Sequence, residues 1–340
     1  MLKLSILDQS PVMTGNTHRE ALSQTLQLAQ AADSWGYTRY WVAEHHNSIG
    51  LASSSPEVLI STLAARTSRI RVGSGGVLLP HYSAYKVAEN FRVLDALYPG
   101  RIDLGIGRAP GGTPHTAKAL RDGKADIFEG LDRFPEQLVD LRAFLTDTIP
   151  AGHRYEGIAA SPFIPTVPQM WLLGSTGQSG VYAAGLGAAF CFAHFINGSG
   201  GVDVVRKYVQ EFQPSSLNVV PQAMAGVYVV CADSSEEAER QAAVVDLMLL
   251  KTEKGMQGSV PTLVETERYP YTEGDRLRIQ DNRSRMIVGE PKHVQGRLQQ
   301  LAAAYRIDEV MVITSTADFA ARLRSYELLA EVCGLKAQVR

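Results

Sequence analysis

Residues 169–187 read QMWLLGSTGQSGVYAAGLG. The first six are apolar nearly throughout rather than alternating. That pattern predicts a strand covered on both faces, as in a parallel sheet. Gly174 to Gly180 then form a Gly/Ser/Thr-rich turn, and QSGVYAAGLG reads as the helix after it. Strand, turn and helix make one βα unit, and the unit recurs along the chain.

Seven more apolar runs share the pattern: 2–7, 37–45, 69–79, 101–108, 188–196, 222–232 and 308–316. Each is followed by a stretch with helical spacing of apolar residues. Residues 18–35 repeat Leu22, Leu26 and Ala29, and stop at Gly36, a residue suited to the left-handed end of a helix. The helix from 55 to 68 has Ser55 as N-cap and Pro56 at its first position. Further helices are predicted at 84–99, 134–147, 202–212, 234–255, 292–307 and 318–334. Eight strands, each followed by a helix, predict an α/β fold closed by right-handed crossovers into a (β/α)8 TIM barrel. An open doubly wound sheet is the competing architecture. The barrel is expected as one domain over 1–340. It carries an insertion after strand four (109–167) and an irregular, lid-like segment (255–289) after the strand-seven helix, with Tyr269, Pro270 and Tyr271 as candidate lid residues.

Composition narrows the function. The chain has 340 residues, a formal net charge of -2, 45% hydrophobic and 20% charged residues. There is no basic excess to neutralise nucleic-acid phosphates. No window holds the roughly 18 uncharged apolar residues of a membrane span. The start, MLKLSILDQSPV, is too short an apolar run for a signal peptide, so the cytoplasm is the expected location. Cys191, Cys231 and Cys333 are odd in number and widely spaced, which argues against disulfides and zinc.

A TIM barrel puts its chemistry at the C-terminal ends of strands. The unusual residues fall there: Glu44-His45-His46, Gly73-Ser74-Gly75-Gly76, Gly107-Arg108, the turn from Gly174 to Gly180, and His194. The Gly174–Gly180 turn offers backbone N–H groups at a helix start, plus the hydroxyls of Ser175, Thr176 and Ser179, which together suit a phosphate. Arg108 adds a guanidinium that pairs bidentately with phosphate oxygens. An ordinary capped turn and a solvated arginine are the plainer readings. Gly75-Gly76 inside a strand marks a bulge or the close approach of a ligand to backbone. Successive strand residues face opposite ways, so His45 and His46 do not share a metal, and no third ligand lies at zinc-like spacing. An imidazole at the barrel mouth suits proton transfer near neutral pH. Glu44 is its candidate buried partner, and a satisfied core histidine is the plainer reading of His46 and His194.

The chain resembles the bacterial luciferase-like flavin monooxygenases over nearly its whole length. The motifs that carry the resemblance are RYWVAEHHN (39–47), VGSGGVLLPHYSAYKVAE (72–89), LYPGRIDLGIGRAPGG (97–112), WLLGSTGQSGVYAAGLG (171–187) and DEVMVITS (308–315). The resemblance implies FMN as cofactor, supplied reduced by a separate NAD(P)H-dependent flavin reductase. It also implies oxygenation of a small organic substrate through a C4a-peroxyflavin, and a homodimer. By the same resemblance Arg108, Gly174, Ser175, Thr176, Gly177 and Ser179 hold the FMN phosphate. Gly75-Gly76 is the site of a non-proline cis peptide beneath the flavin ring, and His45 is the acid–base residue beside it. The light-emitting relatives carry a reactive Cys where Gly107 stands and an acid where Gly174 stands, which argues against light emission but not against flavin. A deazaflavin-dependent dehydrogenase and a non-catalytic flavin-binding protein are the alternatives.

Overall fold

The structure is a computed structural model that describes residues 2–123 and 131–336. Its sheet begins with β1 (Lys3–Asp8), β2 (Arg39–Val42), β3 (Arg71–Ser74), β4 (Val77–Leu78) and β5 (Ile102–Gly107). It continues with β6 (Gln169–Gly174), β7 (Ala189–Ala193), β8 (Ala223–Cys231), β9 (Met286–Gly289) and β10 (Glu309–Ile313). Every pairing is parallel, in the order β1-β2-β3-β5-β6-β7-β8-β10, and β10 pairs back onto β1. Eight strands therefore close a barrel. β4 and β9 are extra: β4 pairs with the end of β5, and β9 with the upper half of β8.

Helices fill the crossovers. α1 (His18–Trp35), α2 (Pro56–Arg66) and α3 (Ala84–Leu97) follow the first three barrel strands. α4 (Pro114–Leu120) and α5 (Phe134–Leu145) belong to the long connection after β5. α6 (Gly177–Leu186) and α7 (Gly201–Glu211) follow β6 and β7, and α8 (Ser235–Glu253) follows β8. Beyond it come α9 (Leu263–Arg268), α10 (Glu273–Asn282), α11 (Pro291–Tyr305) and α12 (Phe319–Cys333). α1 shows why these sequences stop and start where they do. Thr17 and Glu20 form a reciprocal capping box, Ala21, Thr25, Leu28, Ala29 and Ala32 face the sheet, and Gly36 at φ +92° ends the helix.

The barrel interior is layered by the alternation along each strand. At the N-terminal end, Arg39 bonds Glu309 (2.7 Å) and Asp103 (3.0 Å), Arg71 bonds Asp103, and Ser5 bonds Glu309. All of these but Arg71 are buried. Burial alone would raise the Asp103 carboxyl, but Arg39 and Arg71 hold it below its ordinary value. Above this plug lie Leu7, Trp41, Trp171, Cys191 and Met311, with the two indoles edge to face at 5.5 Å. The top layer opens to solvent.

Two expectations need correction. The third strand is not continuous over 69–79: the chain leaves the ladder at Gly75-Gly76, whose peptide bond is cis, and resumes as β4. Residues 255–289 are not irregular, since they contain α9, α10 and β9. They pack on α8 through ion pairs: Arg283 with Asp246, Arg278 and Arg285 with Glu253, and Lys254 with Asp275. α10 reads EGDRLRIQDN and is held by charges and a cap rather than an apolar stripe, so periodicity gave no helical signal.

Candidate functional site

A cavity of about 450 Å³ opens at the C-terminal end of the barrel, within the ~300–1,000 Å³ range of small-molecule sites. Its walls follow strand alternation. β1 contributes Leu7 and, two residues on, Gln9; β2 contributes Trp41, Ala43 and His45, and past its end Glu44 as well; β7 contributes Cys191, Ala193 and Phe195, with Ile196 beyond it. Gly226 of β8 and Met311 of β10 complete that side. None of residues 255–289 lines it, so Tyr269, Pro270 and Tyr271 do not cover the cavity.

His45 lines the cavity and His46 does not. The His45 Nδ1 is buried with no hydrogen-bond partner. Burial, and then the neighbouring His46, lower its pKa from 6.5 to about 4, so the ring is neutral at physiological pH. The Glu44 carboxylate is buried and has three partners. One oxygen accepts from the Tyr82 hydroxyl (2.6 Å) and meets His46 Nε2 (2.7 Å), while the other accepts from the Leu78 N–H (2.9 Å). Glu44 thus ties the end of β2 to β4, immediately past the Gly75-Gly76 bend. His194 lies elsewhere: its ring nitrogens meet the Tyr305 hydroxyl and the Ser284 carbonyl, outside the cavity.

Gly75 and Gly76 form part of the cavity wall where side chains do not fit. A Cβ on Gly75 would stand 2.6 Å from Leu7 Cδ1, and one on Gly76 2.7 Å from the Gly105 carbonyl oxygen. The cis bond lies where the resemblance places one. Backbone is therefore presented bare to whatever the cavity holds.

Gly174, Ser175, Thr176 and Ser179 line the wall at the N-terminus of α6; Gly177, the first helical residue, does not. Thr176 is the N-cap, yet its hydroxyl makes no cap bond. The Asn197 side-chain amide donates to the Ser175 carbonyl (3.1 Å) and steadies the turn. Gly174 is required there, since a Cβ would stand 2.5 Å from Ser179 Cβ. Arg108 lines the same cavity, exposed, with no ion-pair or hydrogen-bond partner among the described residues. An unpaired guanidinium beside unspent helix-start donors suits an anion. Among the described residues no group of three metal-ligating side chains exists.

Sequence reasoning missed Gln9, Leu7, Trp41, Phe195 and Met311 as cavity residues. The signal was available for three of them: Trp41 and Ala43 precede His45 at alternate positions, and Leu7-x-Gln9 repeats the pattern at the end of β1. Cys191 also lines the cavity, and burial pushes its thiol up to about 12, which leaves it unreactive.

The model of the luciferase-like monooxygenase family matches residues 2–309. The protein YwcH of Bacillus subtilis (strain 168) is 53% identical over 97% of this chain and 99% of its own length. The N-acetyl-S-alkylcysteine monooxygenase of the same organism is 38% identical over 97% of this chain and 98% of its own length. The crystal structure of apo-MsnO8 superposes with a TM-score of 0.91 at 39% identity, covering 99% of this chain and 100% of that one. The oxygenating constituent of 3,6-diketocamphane monooxygenase from Pseudomonas putida, in complex with FMN, shares the fold at a TM-score of 0.70 and 18% identity over 99% of each chain. The match runs from β1 to the first residue of β10, and the chain belongs to the luciferase-like monooxygenases.

Proposed function

We propose that the chain, acting as a single domain over 1–340, is an FMN-dependent monooxygenase that uses reduced flavin and O2 to oxygenate a small organic molecule. The lining of one cavity carries this reading. It brings together an unpaired Arg108, the start of α6, a glycine wall and His45. That arrangement fits a flat group with an anionic tail. The FMN-bound neighbour of the same fold is in keeping with it.

In this reading Arg108, Ser175, Thr176, Ser179 and the α6 amides of the Gly174–Ser179 turn, Gly177 included, hold the phosphate. Gly75 and Gly76 let backbone lie against the ring, as no side chain there would allow. When bound, reduced FMN supplies two electrons, and O2 is divided between substrate and water, one oxygen atom each. His45, neutral and with a free ring nitrogen, holds or moves the proton at the reacting edge. The apolar walls from Leu7, Leu173, Phe195 and Met311 exclude water. The resemblance supports the remaining parts: a separate NAD(P)H-dependent flavin reductase and a homodimer.

Fluorescence titration tests the cofactor. FMN is expected to bind, and Arg108→Ala to weaken it by about 1.5–3 kcal/mol, roughly ten- to a hundredfold. Unchanged affinity removes Arg108 from the phosphate site. Tight deazaflavin binding with no FMN binding sinks the reading.

A further inference from the structure

We propose that Gln9 is the specificity-determining side chain of the substrate end of the cavity, where it selects a small neutral molecule bearing a carbonyl or amide group. The inference rests on the reading that Arg108 and the β6–α6 turn take the cofactor phosphate.

The closed order of eight strands puts β1 four steps from β6 in either direction. Gln9 therefore stands diametrically across the mouth from the phosphate turn. On its own strand Leu7 precedes it, and the two strands paired with β1 bring Met311 (β10) and Ala43, Glu44 and His45 (the end of β2) to the wall beside it. The polar side chains of the cavity have other employment. Glu44 is already engaged by Leu78, Tyr82 and His46. Arg108 and the turn hydroxyls lie at the phosphate end, and His45 is the proton-handling group. The Gln9 carboxamide alone is left over, with no hydrogen-bond partner among the described residues.

Its backbone is also held firmly. The Asp8 carboxylate accepts from the Ser10 N–H (2.7 Å) and from Arg322 (2.8 Å), and also takes the Tyr40 hydroxyl. Ser10 adopts φ +51°, its Oγ accepts from Thr25 (2.9 Å), and its carbonyl accepts from the Ala52 N–H (2.9 Å). The carboxamide carried on that backbone offers two N–H donors and one carbonyl acceptor. A carbonyl or amide satisfies it. A hydrocarbon leaves it unpaired, and a carboxylate arrives desolvated with no free cation at that end.

The test uses full-length protein saturated with FMN and two matched probes, hexanamide and hexanoate, followed by flavin absorbance and by the fluorescence of Trp41 in the cavity wall. Hexanamide is expected to bind at least about tenfold more tightly than hexanoate. Gln9→Leu is expected to weaken hexanamide by about 3- to 10-fold, the scale of one neutral hydrogen bond, with FMN affinity unchanged. That unchanged affinity also shows that the variant is folded. Equal binding of the two probes overturns the proposal, as does hexanamide binding that Gln9→Leu leaves intact. If Gln9→Leu weakens FMN instead, Gln9 belongs to the cofactor and the proposal falls. If the wild type binds no FMN, the cofactor reading fails separately, and the probe preference and its loss in Gln9→Leu, read on Trp41 of the unloaded protein, still decide the role of Gln9.

Discussion

At the scale of single residues, the alternation of one strand assigns the two histidines. Trp41, Ala43 and His45 face the cavity, while His46 turns to Glu44. The cost of burying His45 is visible in its titration. The unfolded ring takes up a proton near pH 6.5, but the folded ring resists until about 4. The unfolded state thus binds more protons between those values, and the folded state loses stability as pH falls through that window. Above 6.5 the effect is absent. Urea unfolding of the flavin-free wild type and of His45→Asn between pH 7.5 and 4 is expected to show it. The wild type should lose up to roughly 3 kcal/mol relative to the variant, at about 1.4 kcal/mol per pH unit where steepest. The buried His81 and half-buried His194 rings act with the same sign in both proteins and cancel in the difference. A difference that stays flat with pH sinks the assignment of a low pKa to His45.

At the scale of elements, β4 is the piece that converts a barrel strand into a cavity wall. The chain leaves β3 at Ser74, passes Gly75-Gly76 and resumes pairing at Val77 with Ile106. Glu44 secures the resumption through the Leu78 N–H. Glu44→Ala leaves that buried donor without an acceptor, and is expected to cost about 1–3 kcal/mol and to weaken FMN. Glu44→Gln keeps a carbonyl for Leu78 and is expected to recover most of the stability. Equal losses in the two variants, by urea unfolding and flavin titration, would show that Glu44 acts through its charge alone. The element that sequence reading misplaced, the stretch 255–289, obeys different physics. α10 exposes Leu277 and buries Asp275 and Asn282, so its packing is polar and carries no apolar period.

At the scale of the whole molecule, the barrel stands on an ionic base and opens on an apolar mouth. Arg39 is the hub of the base, and its loss leaves Glu309 and part of the Asp103 carboxylate buried without a cation. Arg39→Leu is expected to cost about 3–5 kcal/mol in urea unfolding, as when one partner of a buried pair is removed. A loss under about 1 kcal/mol would show that Arg71 and water suffice. The sequence by itself determined the eight βα units, the ends of the strands as the place for chemistry, and the opposed faces of His45 and His46. These are properties of local periodicity, which each segment carries alone. The cavity places of Phe195 and Met311, the three hydrogen bonds on Glu44, the free carboxamide of Gln9 and the placement of His194 against Tyr305 were decided only in the tertiary structure. Each depends on which strands become neighbours when the ring closes, and on how many donors reach one buried acceptor. One strand's sequence contains neither quantity, because closure brings together residues as distant as Leu7 and Met311.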